Sequence, residues 1–260
     1  MNYFVEGLQG SGKSTLVKRL AERLPDHKVF HEGDYSPVEL AWCVYVSKAK
    51  YREILEKYYE IRSMIAEKSH EEDDHMIICY TQILTDIPGF HKDLEQYEIY
   101  NNRLTPEAFR KVILERFSKW KTDGNIFECS LFQNIVEDMI LFQDASDQEI
   151  TDFYREIRSV LTGRDYRIMY LWTEDISSNI DAIRKERSDD HGKELWFPLM
   201  LRYFNESAYA KKRGLSGEEA MLDHFEHRQT LELSICKDVF SDRYTMLKSK
   251  GYSCEYGITE

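Results

Sequence analysis

The sequence predicts an α/β fold of three layers with a parallel five-stranded sheet, and three observations predict it. An apolar strand at the chain start runs through a glycine-rich segment into a helix. Short strands then recur with helices between them, the spacing that parallel pairing through right-handed crossovers requires. Only 12 Gly and 5 Pro punctuate 260 residues, which favours long helices over loops, and 42% apolar residues suffice for a substantial core. One domain is expected over residues 1–260, with no internal repeat or low-complexity segment.

Tyr3-Phe4-Val5 reads as the first strand, and Leu16, Val17, Leu20 and Leu24 follow at helical spacing. Pro25-Asp26 ends that unit, and His27 to Phe30 forms the second strand, leading to the acidic cluster Glu32-Gly33-Asp34. From Pro37 to about Lys68 the pattern is helical, with apolar stripes through Leu40, Val44, Ile54, Leu55, Ile61 and Ile65. Glu71-Glu72-Asp73-Asp74 reads as a solvated turn, and His75 to Ile83 as a buried segment, strand or short helix. Residues 88–104 look irregular. Thr105-Pro106-Glu107 is a helix start, because Thr caps, Pro suits the first helical position and Glu suits the first turn; that helix should reach about Lys121. Asp123-Gly124 turns into a third strand, Asn125 to Glu128. Helices over about 132–143 and 147–161 precede a fourth strand, Tyr166 to Trp172. Further helices are expected over Ser177–Arg187, about 193–212 and 216–249, before a last strand over Gly251 to Tyr256.

Net charge and cysteines exclude several classes. At −12 the chain lacks the basic face that a nucleic-acid polymer would need. Cys43, Cys79, Cys129, Cys236 and Cys254 form no C-x-x-C pair and read as reduced thiols, and no apolar run reaches membrane-spanning length, so a cytoplasmic protein without a membrane partner is expected. His31, His70, His75, His91 and His191 show no metal-ligand spacing.

Residues 7–15, Gly7-Leu8-Gln9-Gly10-Ser11-Gly12-Lys13-Ser14-Thr15, lie between strand and helix and match a phosphate-binding P-loop. Small residues let backbone N–H groups curl around phosphate, and the helix beginning near Lys13 aims its positive end at the same charge. ATP should therefore be held by Leu8 through Thr15, with Lys13 reaching the β- and γ-phosphates and Ser14 holding Mg²⁺. No Asn-Lys-x-Asp guanine signature is present. Glu174-Asp175, after Tyr170-Leu171-Trp172, reads as first-turn acids of the next helix, whereas Glu128, at the end of a strand expected beside the P-loop strand, is placed to hold Mg²⁺ through water.

Four places resemble the deoxynucleoside kinase and thymidylate kinase group of P-loop kinases: Gly7 to Thr15; Glu32-Gly33-Asp34-Tyr35-Ser36-Pro37-Val38 to Trp42; Glu128-Cys129-Ser130; and Tyr170-Leu171 to Arg187. The resemblance implies a kinase that moves the γ-phosphate of ATP to a hydroxyl of a small molecule, nucleoside-like or a sugar-containing metabolite or antibiotic. It implies a helix-rich substrate-side insert over about 35–122 and a helical lid over about 184–213. Two departures stand out. More residues lie between Glu32 and Pro37 than the family places there, and Cys129 replaces the family's Arg.

Arg103 is either the replacement cation or a solvated turn residue. Glu32 matches the family's general base, while the acid-x-acid form of Glu32 and Asp34 suits certain small-metabolite kinases in which the second acid serves; the two stay unseparated. Tyr35, Trp42, Tyr45 and Tyr80 are candidates to line an acceptor pocket. Arg184 and Arg187, three apart on one helix, are the lid residues that would balance charge on the moving phosphoryl group. A nucleoside monophosphate kinase, with Arg62, Arg103 or Arg110 on the acceptor phosphate, and a regulatory ATP-binding switch are the alternatives. A homodimer is left open.

Overall fold

The computed structural model describes residues 1–250, and the strand expected over Gly251 to Tyr256 lies outside them. The described residues form two compact units, one from residues 1–29 and 122–250, the other from residues 30–121.

In the first unit the strands are β1 (Asn2–Gly7) and β2 (Lys28–Phe30), joined by helix α1 (Lys13–Arg23). The second unit supplies β3 (Val44–Ser47), α2 (Lys48–Lys57), α3 (Arg62–Glu67), β4 (Ser69–Glu72), β5 (His75–Ile78), α4 (Phe90–Glu95) and α5 (Pro106–Lys119). The first unit resumes with β6 (Asn125–Glu128), α6 (Gln133–Leu141), α7 (Asp147–Val160), β7 (Tyr166–Trp172), α8 (Ile176–Glu186), α9 (Trp196–Glu206), α10 (Ala208–Arg213), α11 (Gly217–Asp238) and β8 (Tyr244–Lys248).

The five-stranded sheet has the order β2-β6-β1-β7-β8, with β1 parallel to β6 and β7, and β7 parallel to β8. Alternation along β1 sorts its side chains. Tyr3 and Val5 join Leu16, Val17 and Leu20 of α1, together with Ile126, Met169, Leu171 and Leu247. Phe4 points the other way, stacking on Phe127 at 4.9 Å and meeting Tyr166 edge-on at 5.9 Å. On that face Phe132, Tyr154 and Phe240 continue the aromatic packing. Every residue of β1 is buried, as expected of a central parallel strand covered on both faces.

The second unit is built on a three-stranded antiparallel sheet, order β3-β5-β4, which the helical reading of 37–68 did not anticipate. Val44-Tyr45-Val46 alternates buried and half-buried positions as a strand, and Ser47 ends it by accepting the Lys50 N–H as the cap of α2. Val44, Val46 and Ile78 pack with Ile54, Ile65, Phe90 and Leu94 in one core. The acidic run expected as a turn is divided: Glu71 and Glu72 pair within β4, and Asp73-Asp74 makes the turn into β5. Residues 88–104 contain α4, whose start at Gly89 carries no side-chain cap.

Two further boundaries differ. The helix expected over 216–249 stops at Asp238, where Phe240 becomes fully buried among Phe132, Tyr154 and Tyr166, and Tyr244–Lys248 then joins the sheet beside β7. The helix expected over 193–212 is two helices, because Ser207 turns extended and caps α10. By contrast the Thr105 cap forms as expected, accepting the Ala108 N–H, whereas Asp175, expected in the first turn of the next helix, instead caps α8 by accepting the Ser178 N–H. Among the described residues no helix is long and apolar enough to cross a membrane.

Within the second unit the buried Glu39 accepts both the Tyr100 hydroxyl and the Ala41 N–H at 2.6 Å. Burial nevertheless wins over these hydrogen bonds and raises its pKa from 4.5 to about 8. A raised carboxyl pKa means that the folded state holds the proton more tightly. This contribution to stability is therefore full below pH about 4.5 and lost as pH climbs through about 8. Chemical denaturation of the wild type and Glu39→Gln at pH 5 and pH 8 should find the wild type losing stability relative to the variant as pH rises; a constant difference would contradict the assignment.

Candidate functional site

The glycine-rich loop after β1 occupies the edge of the sheet where β1, β6 and β7 all end, since parallel strands finish on the same side. Gly7 closes β1 against β7 so tightly that a Cβ there would stand 2.5 Å from the Leu171 carbonyl oxygen. Gly10 has φ +70°, and a Cβ on it would overlap the Ile183 side chain of α8. Gly12 precedes α1 without a side-chain cap. Leu8 is buried, Thr15 exposed, and Ser11 N–H donates to the Leu8 carbonyl at 3.2 Å.

Lys13 is buried and folds back on this loop, its Nζ donating to the Gly7 and Leu8 carbonyls at 2.8 and 2.7 Å. Ser14 Oγ donates to Glu128 Oε1 at 2.5 Å. These two residues, 114 apart in sequence, meet because β1 and β6 pair with Val5 opposite Glu128. Cys129 then turns with φ +59° while its N–H stays on the Val5 carbonyl, and the Ser130 hydroxyl donates to the Glu128 carbonyl. Glu6 holds the next turn, accepting the N–H groups of Leu131, Phe132 and Gln133 at 2.7, 3.1 and 3.4 Å. Burial dominates those hydrogen bonds and lifts Glu6 to a pKa of about 7.

Three elements grip the loop from around it. Asn179 of α8 donates to the Gln9 carbonyl at 2.8 Å, Arg228 of α11 donates to Gln9 Oε1 at 2.8 Å, and Ser249, just past β8, donates to the Ser11 carbonyl at 2.9 Å. None of the three was among the sequence candidates. Their signal is tertiary, since Asn179, Arg228 and Ser249 are 170, 219 and 238 residues from their partners.

In the second unit the acidic cluster separates into two kinds of carboxylate. Asp34 holds its own turn: Oδ2 accepts the His31 N–H at 2.8 Å and Oδ1 accepts Gln82 Nε2 at 2.9 Å. Glu32 is exposed, and its Oε1 accepts the indole N–H of Trp42 at 3.0 Å. Trp42 is 46% exposed with φ +60°, a backbone region unfavourable for a bulky residue.

The other substrate-side candidates are engaged in packing. Tyr35 stacks on His70 at 4.1 Å and its hydroxyl lies 3.3 Å from Glu72. Tyr45 stacks on His75 at 4.3 Å. Tyr80 is a core residue, only 3% exposed, with its hydroxyl donated to Glu98 at 2.5 Å, so it is not disposed to contact a substrate. Arg103 makes a 3.3 Å ion pair with Glu95, which favours the solvated-turn reading.

The two arginines expected in a lid are also engaged. Arg184 donates to Glu194 at 3.0 and 3.2 Å and to Glu218 at 2.8 Å, and its guanidinium lies 4.0 Å from the centre of the Phe197 ring. Arg187 sits 5.2 Å from the Trp196 ring. Ser188 and Glu194 bridge antiparallel, so the expected lid begins as a small loop between α8 and α9.

The donor set at the loop edge fits a small hard cation and a polyanion. Ser14 and Glu128 are oxygen ligands of the type Mg²⁺ takes, and the fully buried Ser11 Oγ has no hydrogen-bond partner among the described residues. No group of three or more His, Cys, Asp or Glu suited to a metal occurs among the described residues. No known family model matches the chain, and no curated protein is recognisably similar to it.

The contact at Gly10 can be checked with a control. Gly163 has φ +81° with open space around it, so Gly163→Ala should cost only the backbone term of about 1–2 kcal/mol. Gly10→Ala should cost about 1–3 kcal/mol more, because Ile183 must move. Equal losses in chemical denaturation would show that α8 does not press on the loop.

Proposed function

We propose that the chain is an ATP-dependent phosphotransferase of the P-loop kinase type, acting on a hydroxyl of a small nucleoside-like or sugar-containing molecule. The observation that carries this reading is the 2.5 Å hydrogen bond from Ser14 to Glu128 at the foot of a glycine-rich loop whose lysine rests on the loop's own carbonyls. A lysine whose hydrogen bonds among the described residues go to carbonyl oxygens would bind a triphosphate more strongly, since charge-assisted hydrogen bonds to phosphate exceed those to neutral acceptors.

The loop from Leu8 to Thr15 would hold the ATP phosphates, with its N–H groups and the uncapped start of α1 meeting the charge. Ser14 directly, and Glu128 through water, would hold Mg²⁺, which when bound draws negative charge from the β- and γ-phosphates. Lys13 would leave Gly7 and Leu8 to reach the terminal phosphates. Arg184 would balance the transferring group only after release from Glu194 and Glu218, and Arg187 only after leaving Trp196, so lid closure would be tied to breaking those contacts.

Of the two acids, Glu32 is the better general base. Both oxygens of Asp34 are committed to its own turn and to Gln82, whereas Glu32 is solvent-exposed and oriented by Trp42. Phosphoryl transfer would then run from ATP to the acceptor oxygen as its proton passes to the Glu32 carboxylate. Asp34 would shape the turn that carries Glu32. The exposed indole of Trp42 beside Glu32 offers a flat apolar surface to a ring-bearing acceptor.

A panel of nucleosides and glycosidic alcohols with ATP and Mg²⁺, followed by ADP release and product mass, tests the proposal. At least one acceptor should gain 80 Da and stimulate ADP release, and Lys13→Ala should abolish it. Glu32→Gln should lower kcat about 10²–10⁴-fold with nucleotide affinity retained. Asp34→Asn should cost mainly stability. Nucleotide-dependent capture of another protein with no phosphorylated product would point to a switch, and full turnover in Glu32→Gln would remove it as the base.

A further inference from the structure

The least expected group near the loop is a fully buried guanidinium. Arg228, on α11, is 0% exposed. Its Nη1 donates to Glu137 of α6 at 2.7 Å, its Nε lies 3.3 Å from Glu232, and its Nη2 donates to Gln9 Oε1 at 2.8 Å. Around it, Tyr170 of β7 donates to Glu232 at 2.7 Å, and His224 Nε2 lies 3.0 Å from Glu137. Burial alone would raise the Glu137 pKa, yet Arg228 and His224 hold it at about 2, so the acid stays ionised as a counter-ion.

Such an arrangement is a poor way to stabilise a fold. Desolvating an ion pair costs several kcal/mol before any gain, and an apolar side chain of similar volume often serves packing as well or better. The charge has a specific destination, however. One fork of the guanidinium is neutralised by carboxylates, and the other ends on the side chain of a single loop residue. That residue is held a second time through its main chain, by the Asn179 amide on the Gln9 carbonyl. The peptide joining Gln9 to Gly10 is therefore fixed from α11 and from α8.

We propose that Arg228 is a positioning residue for nucleotide binding: by anchoring Gln9 from the protein interior it holds the glycine-rich loop in its open-cradle form before ATP arrives. The inference rests on reading residues 7–15 as a triphosphate loop. A cradle fixed in advance binds without the entropic cost of ordering it, whereas one released from Arg228 must be ordered by the ligand. The effect on function belongs to binding rather than to the chemical step. Gln9 is half-buried in the loop, so the loss of its side-chain amide removes the anchor while the Arg228 to Glu137 pair in the interior stays in place.

Affinity for MgATP by calorimetry, melting temperature without ligand, and KM and kcat once an acceptor is known, measured for wild type, Gln9→Met, Arg228→Lys and the double variant, test this. Gln9→Met keeps the volume but not the acceptor. It should weaken MgATP binding about tenfold, the loss of one charge-assisted hydrogen bond. Because Arg228 Nη2 loses its acceptor, the variant's unliganded melting temperature should fall by about 2–6 °C, with KM raised and kcat within about twofold. Arg228→Lys, a point charge that cannot reach Glu137 and Gln9 together, should weaken binding similarly, and the double variant should be no worse than the poorer single one. If Arg228→Lys does not fold, Gln9→Met decides alone. Unchanged affinity in Gln9→Met, a lowered melting temperature with unchanged affinity, or losses that multiply in the double variant would each overturn the proposal. A wild-type protein that fails to bind MgATP would overturn the kinase reading itself, whereas wild-type binding that Gln9→Met leaves intact would overturn only the role of Arg228.

Discussion

The parallel register of β1 with β6 and β7 is the constraint on which the first unit depends. With Val5 opposite Glu128 and Gly7 opposite Leu171, three strands end together, and whatever follows each of them must share one edge of the sheet. The glycine-rich loop follows β1, the Glu128–Ser130 turn ends β6, and α8 follows β7. The contacts from Ser14 to Glu128 and from Asn179 to Gln9 are consequences of that alignment. An antiparallel partner in place of β6 would send its acidic end to the far side of the sheet.

Electrostatics explains why so many ionisable groups can be buried at this edge. Lys13 is stabilised by carbonyl dipoles of its own loop, Glu6 by three N–H groups opening α6, and Arg228 by Glu137 and Glu232. Each buried charge is met, but unequally. Glu137 is held ionised by Arg228, whereas Glu6, lacking so close a cation, is lifted toward neutrality. The loop thus sits over a set of fixed charges and dipoles.

Legibility in the sequence followed the range of the interactions. β1, the loop and α1 are readable because their signals are local: a strand, glycines at the turn, and Leu16, Val17 and Leu20 at helical spacing. The same holds for the cap at Thr105. The end of α11 is not readable, since no glycine or proline lies between Glu218 and Lys250 and the helix stops only because Phe240 docks against residues more than seventy positions away. β3 was hidden because Val44 also fits a helical stripe with Leu40. In the site, Lys13, Ser14 and Glu128 were legible from motif and strand order. Tyr80 was not, because its burial depends on Glu98 accepting its hydroxyl, and Arg228 was not, because an Arg four residues before a Glu is an ordinary helical pair.

The central claim is that the loop of residues 7–15 grips a triphosphate, and a crystal structure with a non-hydrolysable ATP analogue and Mg²⁺ tests it most directly. The account predicts phosphate oxygens within hydrogen-bonding distance of the backbone N–H groups from Gly10 to Ser14, Lys13 Nζ moved from the Gly7 and Leu8 carbonyls onto phosphate, and the Ser14 to Glu128 hydrogen bond replaced by the cation. An analogue bound elsewhere, or a saturated crystal in which Lys13 still rests on those two carbonyls, would contradict it.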